Sequence, residues 1–413
     1  MKDGSRLPYA VVVGLEENGL GVARALAKEK IPCIGYAAPS WHPAWKTNSC
    51  EVVAARVWNK EAVIEDLIAL GRTLEAKASL LITKDEPVSW ISEARDELKP
   101  YFEINLPNKD TVDLMMDKQR FARLASEEGW PIPFTWSVSD QSHLLSYLKE
   151  VVYPCILKPA TKNSYFRQNS VQKAFKIFDE RTLVRTYEMV ARWEKRVVIQ
   201  EWIEGGDERV SFCLAYYNRN SHPTALFAGH KVRQYPIECG NTALSEPAVK
   251  HWSQKILDAS EAIFQRVGYT GLGSIEFKMR LGNDQPVMIE PTVGRTDYQS
   301  EVAVLNGQNI PAIAYFDMVC GEQFAASSYL KPCKLVDGFR ESRSAWQRFR
   351  TGNMTFSQWL KDRSGKKKYM LVRSSDMGPG VAAFSNSLGR FSRKIWKTIV
   401  QIEKRVAQIC KVR

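Results

Sequence analysis

The stretch SIEFKMRLGNDQPVMIEPTVGRTDY, residues 274–298, decides how this chain is read. Two apolar runs flank Gly282-Asn283-Asp284, a turn-forming triplet, and together they predict a β-hairpin. Side chains alternate along a strand, which sets Ile275 and Phe277 on the face opposite Glu276, and Ile289 opposite Glu290. One acid on each of two apolar strands needs a partner if it is buried. Magnesium takes hard oxygen ligands, commonly one or two carboxylates plus substrate phosphates, and is one such partner. A pair of acids on a solvent face is the other reading.

Three segments upstream bear on that choice. MMDKQRFA, residues 115–122, puts Lys118 near the start of a helix, and YPCILKPA, residues 153–160, is an apolar strand ending in Lys158-Pro159. A lysine is a compact point charge suited to phosphate oxygens, although a solvated loop lysine is the plainer account of either one alone. VVIQEWIEGGDERVSF, residues 197–212, is a buried strand that turns at Gly205-Gly206 and resumes. Backbone groups at such a strand exit can read an adenine edge, and the acid that follows can accept from ribose hydroxyls. An ordinary hairpin with solvated acids is the alternative.

Taken together and in this order, the segments resemble the ATP-grasp superfamily over residues 5–325, most closely its carboxylate–amine ligase branch. GHKVRQYPIECGN, residues 229–241, resembles a stretch of the same ligases. The resemblance implies an N-terminal α/β pre-ATP-grasp domain, then a two-lobed ATP-grasp domain of α+β character. It implies that Lys118 and Lys158 contact ATP phosphates and that Gln200, Glu201 and Ile203 line the adenine. Glu208 would hold the ribose, and Lys231 and Arg233 would reach the β/γ-phosphates. Glu276, Glu290 and Thr292 would hold magnesium, with manganese as a substitute, and Arg295 would steady the transferred phosphoryl group. Cations spread around oxygens suit phosphoryl transfer, which needs little covalent help from protein. The implied reaction is ATP-dependent ligation of a carboxylate to an amine through an acyl phosphate, with small-molecule substrates and a homodimeric assembly. This chain departs from the family pattern twice. Thr292 stands where the family usually has Asn, and the loop ATKNSYFRQNSVQK, residues 160–173, holds no Gly where the family's loop is glycine-rich. Asn163, Ser164 and Arg167 are the candidate substitutes for its phosphate-binding amides. These departures support the rival reading, a nucleotide-binding regulatory or scaffold module that does not catalyse.

Outside the motifs, the sequence predicts domains at 1–110, 111–325 and 326–413, with a small lobe at about 130–205 and a larger one at 206–325. A strand, a Gly turn, a helix and a second strand open the first domain. Gly14, Gly19 and Gly21 depart from the G-x-G-x-x-G spacing, and YAAPSWHP, residues 36–43, offers no acid for a ribose, so a dinucleotide site is not expected. The eight cysteines are scattered and only five histidines occur, which argues against a disulfide framework or a zinc site. With 44% hydrophobic and 25% charged residues the composition is that of a globular protein, expected in the cytoplasm. The net charge of +12 resides in the C-terminal extension. Within its last stretch Phe391, Ile395, Ile399, Ile402, Val406 and Ile409 form an apolar stripe on a basic helix. Such a helix either packs on its own protein or lies on an anionic membrane, here the inner face. No nucleic-acid signature accompanies the basic charge.

Overall fold

The computed structural model describes residues 6–39, 41–161, 166, 169, 170, 172–321 and 332–387. Its first sheet contains β1 (Ala10–Val13), β2 (Cys33–Ala37), β3 (Glu51–Ala54), β4 (Ala78–Ile82) and β5 (Phe102–Glu103). The strands are parallel in the order β3-β2-β1-β4-β5. Strands such as AVVV and ASLLI are buried along their whole length because helices cover both faces. The strand order reverses between β1 and β4, which opens a crevice at their carboxyl ends. Gly14 turns the chain there at φ +105°, and Thr83 Oγ1 donates to Gly14 O at 2.6 Å. The glycine turn is thus filled by the protein's own side chain.

A second sheet holds β6 (Thr135–Val138), β7 (Cys155–Pro159), β8 (Phe175–Ile177) and β9 (Val197–Glu201), antiparallel in the order β6-β9-β7-β8. It has its own apolar core around Trp136, Leu157, Leu183 and Ile199. The third sheet is larger, with β10 (Val210–Tyr217), β11 (Pro223–Tyr235), β12 (Asn241–Pro247), β13 (Gly271–Met279), β14 (Pro286–Val293), β15 (Lys334–Val336) and β16 (Lys367–Tyr369). Its order is β14-β13-β10-β11-β12-β15-β16. Two cores run continuously from the first sheet into the third, so these two share one packed body while the second sheet forms a lobe of its own.

The basic extension is not a mere appendage. It supplies β15 and β16 to the third sheet, and its buried Asp376 accepts from Arg24 Nε at 2.8 Å, Thr47 Oγ1 at 2.7 Å and the Asn48 amide at 3.0 Å. A buried carboxylate with three donors in the first domain ties the extension back to the start of the chain. The amphipathic helix expected beyond Phe391 lies outside the described residues, as do Asn163, Ser164 and Arg167.

Candidate active site

The hairpin of residues 274–298 forms as its sequence predicts, with β13 and β14 antiparallel and Glu276 directly opposite Glu290. Ile275 and Phe277 are fully buried on the other face. Ile289 is a correction. The register slips between Glu276 and Phe277, so Ile289 is an extra residue in a β-bulge, and it lines the same cavity as Glu290. Strict alternation could not reveal this, since a bulge re-aims one side chain.

That cavity lies between the second and third sheets and measures about 160 Å³. Lys118, Lys158, Lys231, Glu276, Glu290, Thr292 and Arg295 all line it, although they come from five separate segments. The acids lie against cations: Lys231 Nζ is 2.7 Å from Glu276 Oε1, and Lys118 Nζ is 3.5 Å from Glu290 Oε1. Burial opposes the charge on Lys231, but Glu276, Asp297 and Asp207 outweigh it and raise its pKa above the ordinary lysine value. Lys158 Nζ donates to Gln200 Oε1 at 3.0 Å, and Gln200 Nε2 donates to Thr135 Oγ1 at 3.0 Å. Gln200 therefore orients the Lys158 ammonium.

Arg295 enters because the chain turns sharply after β14. Gly294 has φ +65°, and a Cβ there would lie 2.7 Å from Leu106 and 2.9 Å from Val88. No other residue fits both the backbone and the space. Arg295 Nε donates to Asp85 of the first domain, and Nη1 lies 3.9 Å from Asp297. Burial disfavours the guanidinium, yet Asp85 and Asp297 hold its pKa up. Its charge is thereby fixed and aimed.

Arg233 does not belong to this cavity. The β11–β12 register slips between Lys231 and Arg233, so the two do not share the face that a spacing of two would give them. Arg233 is 2% exposed, and it donates to Glu341 at 2.7 Å and to Asp362 at 2.6 Å, both in the C-terminal extension. The assignment to phosphate is withdrawn for this residue, whose charge is consumed by the fold.

The residues assigned to adenine and ribose lie outside this cavity, and Gln200 lines a larger neighbouring one. Gln200 faces Ile156 across the β7–β9 ladder. Glu201 turns away, where Arg280 Nη1 lies 3.2 Å from its carboxylate. Ile203 is buried, and Glu208 is exposed on the single turn Asp207–Arg209, its carboxylate folded over Gly206. The cavity wall also includes residues that the sequence did not single out: Ile156, Asp297, Tyr298 and Gln299, with Asn241 and Thr242. Gln299 Nε2 donates to Asp297 at 2.9 Å, and Gln299 Oε1 accepts from Thr242 Oγ1 at 3.1 Å. Their only sequence signal was proximity to Lys158 for Ile156, and to Arg295 or the segment after Lys231 for the rest.

Two contacts close the cleft between the sheets. Lys173 Nζ donates to Asn241 Oδ1 at 2.5 Å, and Lys176 Nζ to Glu238 Oε1 at 2.9 Å. Both span the second sheet and the β11–β12 turn. A volume of about 160 Å³ is below the roughly 300 Å³ of ordinary small-molecule sites, and these two contacts clasp the cleft at that size.

The oxygen donors fit a hard divalent cation. Glu276 and Glu290 present carboxylates across one ladder, and Thr292 lies beside them with its hydroxyl. Among the described residues no cluster of three or more His, Cys, Asp or Glu makes a protein-only metal cage. Magnesium held by one or two carboxylates and completed by phosphates needs no such cage.

No family model matches the chain. It is 26% identical over 343 residues to a D-aspartate ligase of Enterococcus faecium (strain Aus0004), covering 77% of this chain and 78% of that protein. It is 25% identical over 175 residues to a D-alanine–D-alanine ligase of Pseudomonas putida (strain GB-1), covering 40% of this chain and 50% of that protein. Among solved structures, an ADP complex of N5-carboxyaminoimidazole ribonucleotide synthetase superposes with TM-score 0.63 at 11% identity, covering 85% of this chain and 88% of the other. The biotin carboxylase domain of the Hydrogenobacter thermophilus 2-oxoglutarate carboxylase, in complex with MgADP and bicarbonate, superposes with TM-score 0.61 at 15% identity. That match covers 78% of this chain and 72% of the other.

Proposed function

We propose that this chain, an ATP-grasp protein by its fold and by its likeness to ligases, joins a carboxylate to an amine with cleavage of ATP to ADP and phosphate. The observation that carries the reading is the facing pair Glu276 and Glu290, in one cavity with Lys118, Lys158, Lys231 and Arg295. Two carboxylates for magnesium and four cations for phosphate oxygens are the parts that phosphoryl transfer requires. In this reading Lys118, Lys158 and Lys231 grip the phosphates. Glu276, Glu290 and Thr292 hold magnesium, and manganese can replace it. Gln200, Glu201 and Ile203 flank the adenine and Glu208 meets the ribose once the clasp is open. A substrate carboxylate oxygen attacks the γ-phosphorus and ADP leaves. The amine nitrogen then attacks the acyl carbon, loses a proton, and phosphate departs. Arg295 stabilises charge on the transferred group, its own geometry fixed by Asp85 and Asp297.

The test is ADP release with ATP, magnesium and a panel of carboxylic acids. Release that depends on added carboxylate supports the ligase, whereas ATP binding without any such dependence points to a regulatory module. Lys158→Met is expected to weaken ATP binding about tenfold or more, the loss of a charge-assisted contact, while the melting temperature without nucleotide changes little. Calorimetry giving equal ATP affinities removes Lys158 from the phosphate site.

The basic helix expected from the sequence over 391–413 would place this ligase on an anionic membrane surface, with about 1 kcal/mol for each basic residue near the lipid. Among the described residues no helix is long and apolar enough to cross a membrane, and the attachment proposed is peripheral. Flotation with anionic liposomes is expected for the full chain and not for one ending at Gly389. Equal flotation of both, or of neither, rejects the anchor.

A further inference from the structure

We infer that the carboxylate substrate carries a bulky apolar group, and that this group is seated in a second cavity on the far side of Glu290. The inference rests on the ligase reading and names its substrate class. The cavity measures about 470 Å³ and lies between β14 and the helices Asp85–Glu93, Lys109–Met116 and Lys118–Glu127. That volume is within the range of small-molecule sites, which are mostly apolar and concave.

Its walls are Trp90, Met115, Met116, Phe121, Ile132 and Met288. Several of them are held in place. Trp90 meets Trp58 edge-on with ring centroids 6.0 Å apart, and Trp58 in turn stacks on Tyr36 at 6.1 Å. Ser89 Oγ donates to Met116 Sδ at 3.6 Å. A braced indole beside methionine thioethers gives a wall that is placed in advance yet adapts to an irregular apolar group.

Glu86 also edges this cavity, and three further acids there are committed to cations. Asp85 accepts from Arg295, Asp113 lies 2.5 Å from Lys109 Nζ, and Asp117 lies 2.9 Å from Arg196 Nη1. The apolar wall therefore decides what fits. The cavity abuts the active site, because Lys118, Ile289, Glu290 and Thr292 line both and form the partition between them. Asp85 lines one side of this partition and its partner Arg295 the other. A ligand that fills the apolar cavity ends at the partition, where Lys118 presents positive charge. A carboxylate is the end group that this charge receives, and the proposed phosphoryl transfer takes place there.

The experiment uses the full chain with ATP, magnesium and hydroxylamine as acceptor, which converts an acyl phosphate into a hydroxamate and frees phosphate. The acids compared are alanine, aspartate, phenylalanine, 3-phenylpropionate and octanoate. The expected result is a kcat/KM at least tenfold higher for one or more of the bulky apolar acids than for alanine and aspartate, the scale on which apolar pockets discriminate. Met116→Trp, which fills the cavity, is expected to raise KM for that acid at least tenfold relative to the KM for ATP. If Met116→Trp does not fold, Met116→Ala enlarges the cavity and is expected to shift preference toward still bulkier acids. Stimulation by alanine or aspartate alone overturns this inference and leaves the ligase standing. Stimulation by no acid at all overturns both. A foldable Met116 variant with an unchanged order of preference also overturns the inference.

Discussion

Glu290→Gln is expected to slow carboxylate-dependent ADP formation by roughly two to three orders of magnitude, about 3–4 kcal/mol of transition-state stabilisation. Glu290 faces Glu276 across the ladder, lines both cavities and lies 3.5 Å from Lys118. The amide keeps the size of the side chain but cannot balance a divalent cation, so magnesium binds less tightly where charge develops on the phosphoryl oxygens. The side chain is 29% exposed and is not a core element, so circular dichroism and the melting temperature without ligand should stay near those of the parent. Initial rates over a magnesium titration check the prediction. A variant with near-parental turnover excludes Glu290 as a metal ligand.

Arg233→Met is expected to act in the opposite way. It should destabilise the fold by about 3–5 kcal/mol, because it leaves a buried carboxylate without its charge partner. Glu341 is fully buried; without Arg233 it retains the Trp359 indole at 3.0 Å and Arg363 at the longer distance of 3.6 Å. Chemical denaturation should show the loss, while ATP affinity measured below the new melting temperature should stay within about twofold of the parent. A variant of normal stability with ATP affinity reduced tenfold or more would return Arg233 to the phosphate site. Through this pairing the extension also stabilises the third sheet, since Glu341 and Asp362 neutralise a charge that β11 carries into the interior.

Much of the fold could be read from local pattern. Unbroken apolar runs such as AVVV and ASLLI gave the parallel sheet, and Gly282-Asn283-Asp284 gave the β13–β14 hairpin. The hard part was register. Ile289 was assigned by counting in twos and Arg233 by resemblance, and both lie beside a register slip in a ladder. A bulge has no fixed residue signature, so periodicity alone could not find either one. The cations Lys118, Lys158 and Lys231, named from the resemblance, do line one cavity, Lys118 from the start of a helix, Lys158 from near the end of β7 and Lys231 from within β11. Asp85 was harder. It reaches Arg295 from a helix 210 residues away, and only the packing of the first sheet against the third brings them together. The extension was legible as basic but not as two further strands, since Lys334–Val336 and Lys367–Tyr369 are too short to show alternation.

The central claim is that ATP phosphorylates a carboxylate oxygen, and isotope transfer tests it most directly. With the full chain, ATP, magnesium and an acceptor amine, a stimulating carboxylic acid labelled with ¹⁸O in both oxygens is expected to deliver one ¹⁸O to each phosphate released, as mass spectrometry of the phosphate reads out. That label can move only if the carboxylate oxygen becomes bonded to phosphorus. ADP formed at the same rate with unlabelled phosphate means that water, not the carboxylate, attacks the γ-phosphorus, and that result contradicts the acyl-phosphate account.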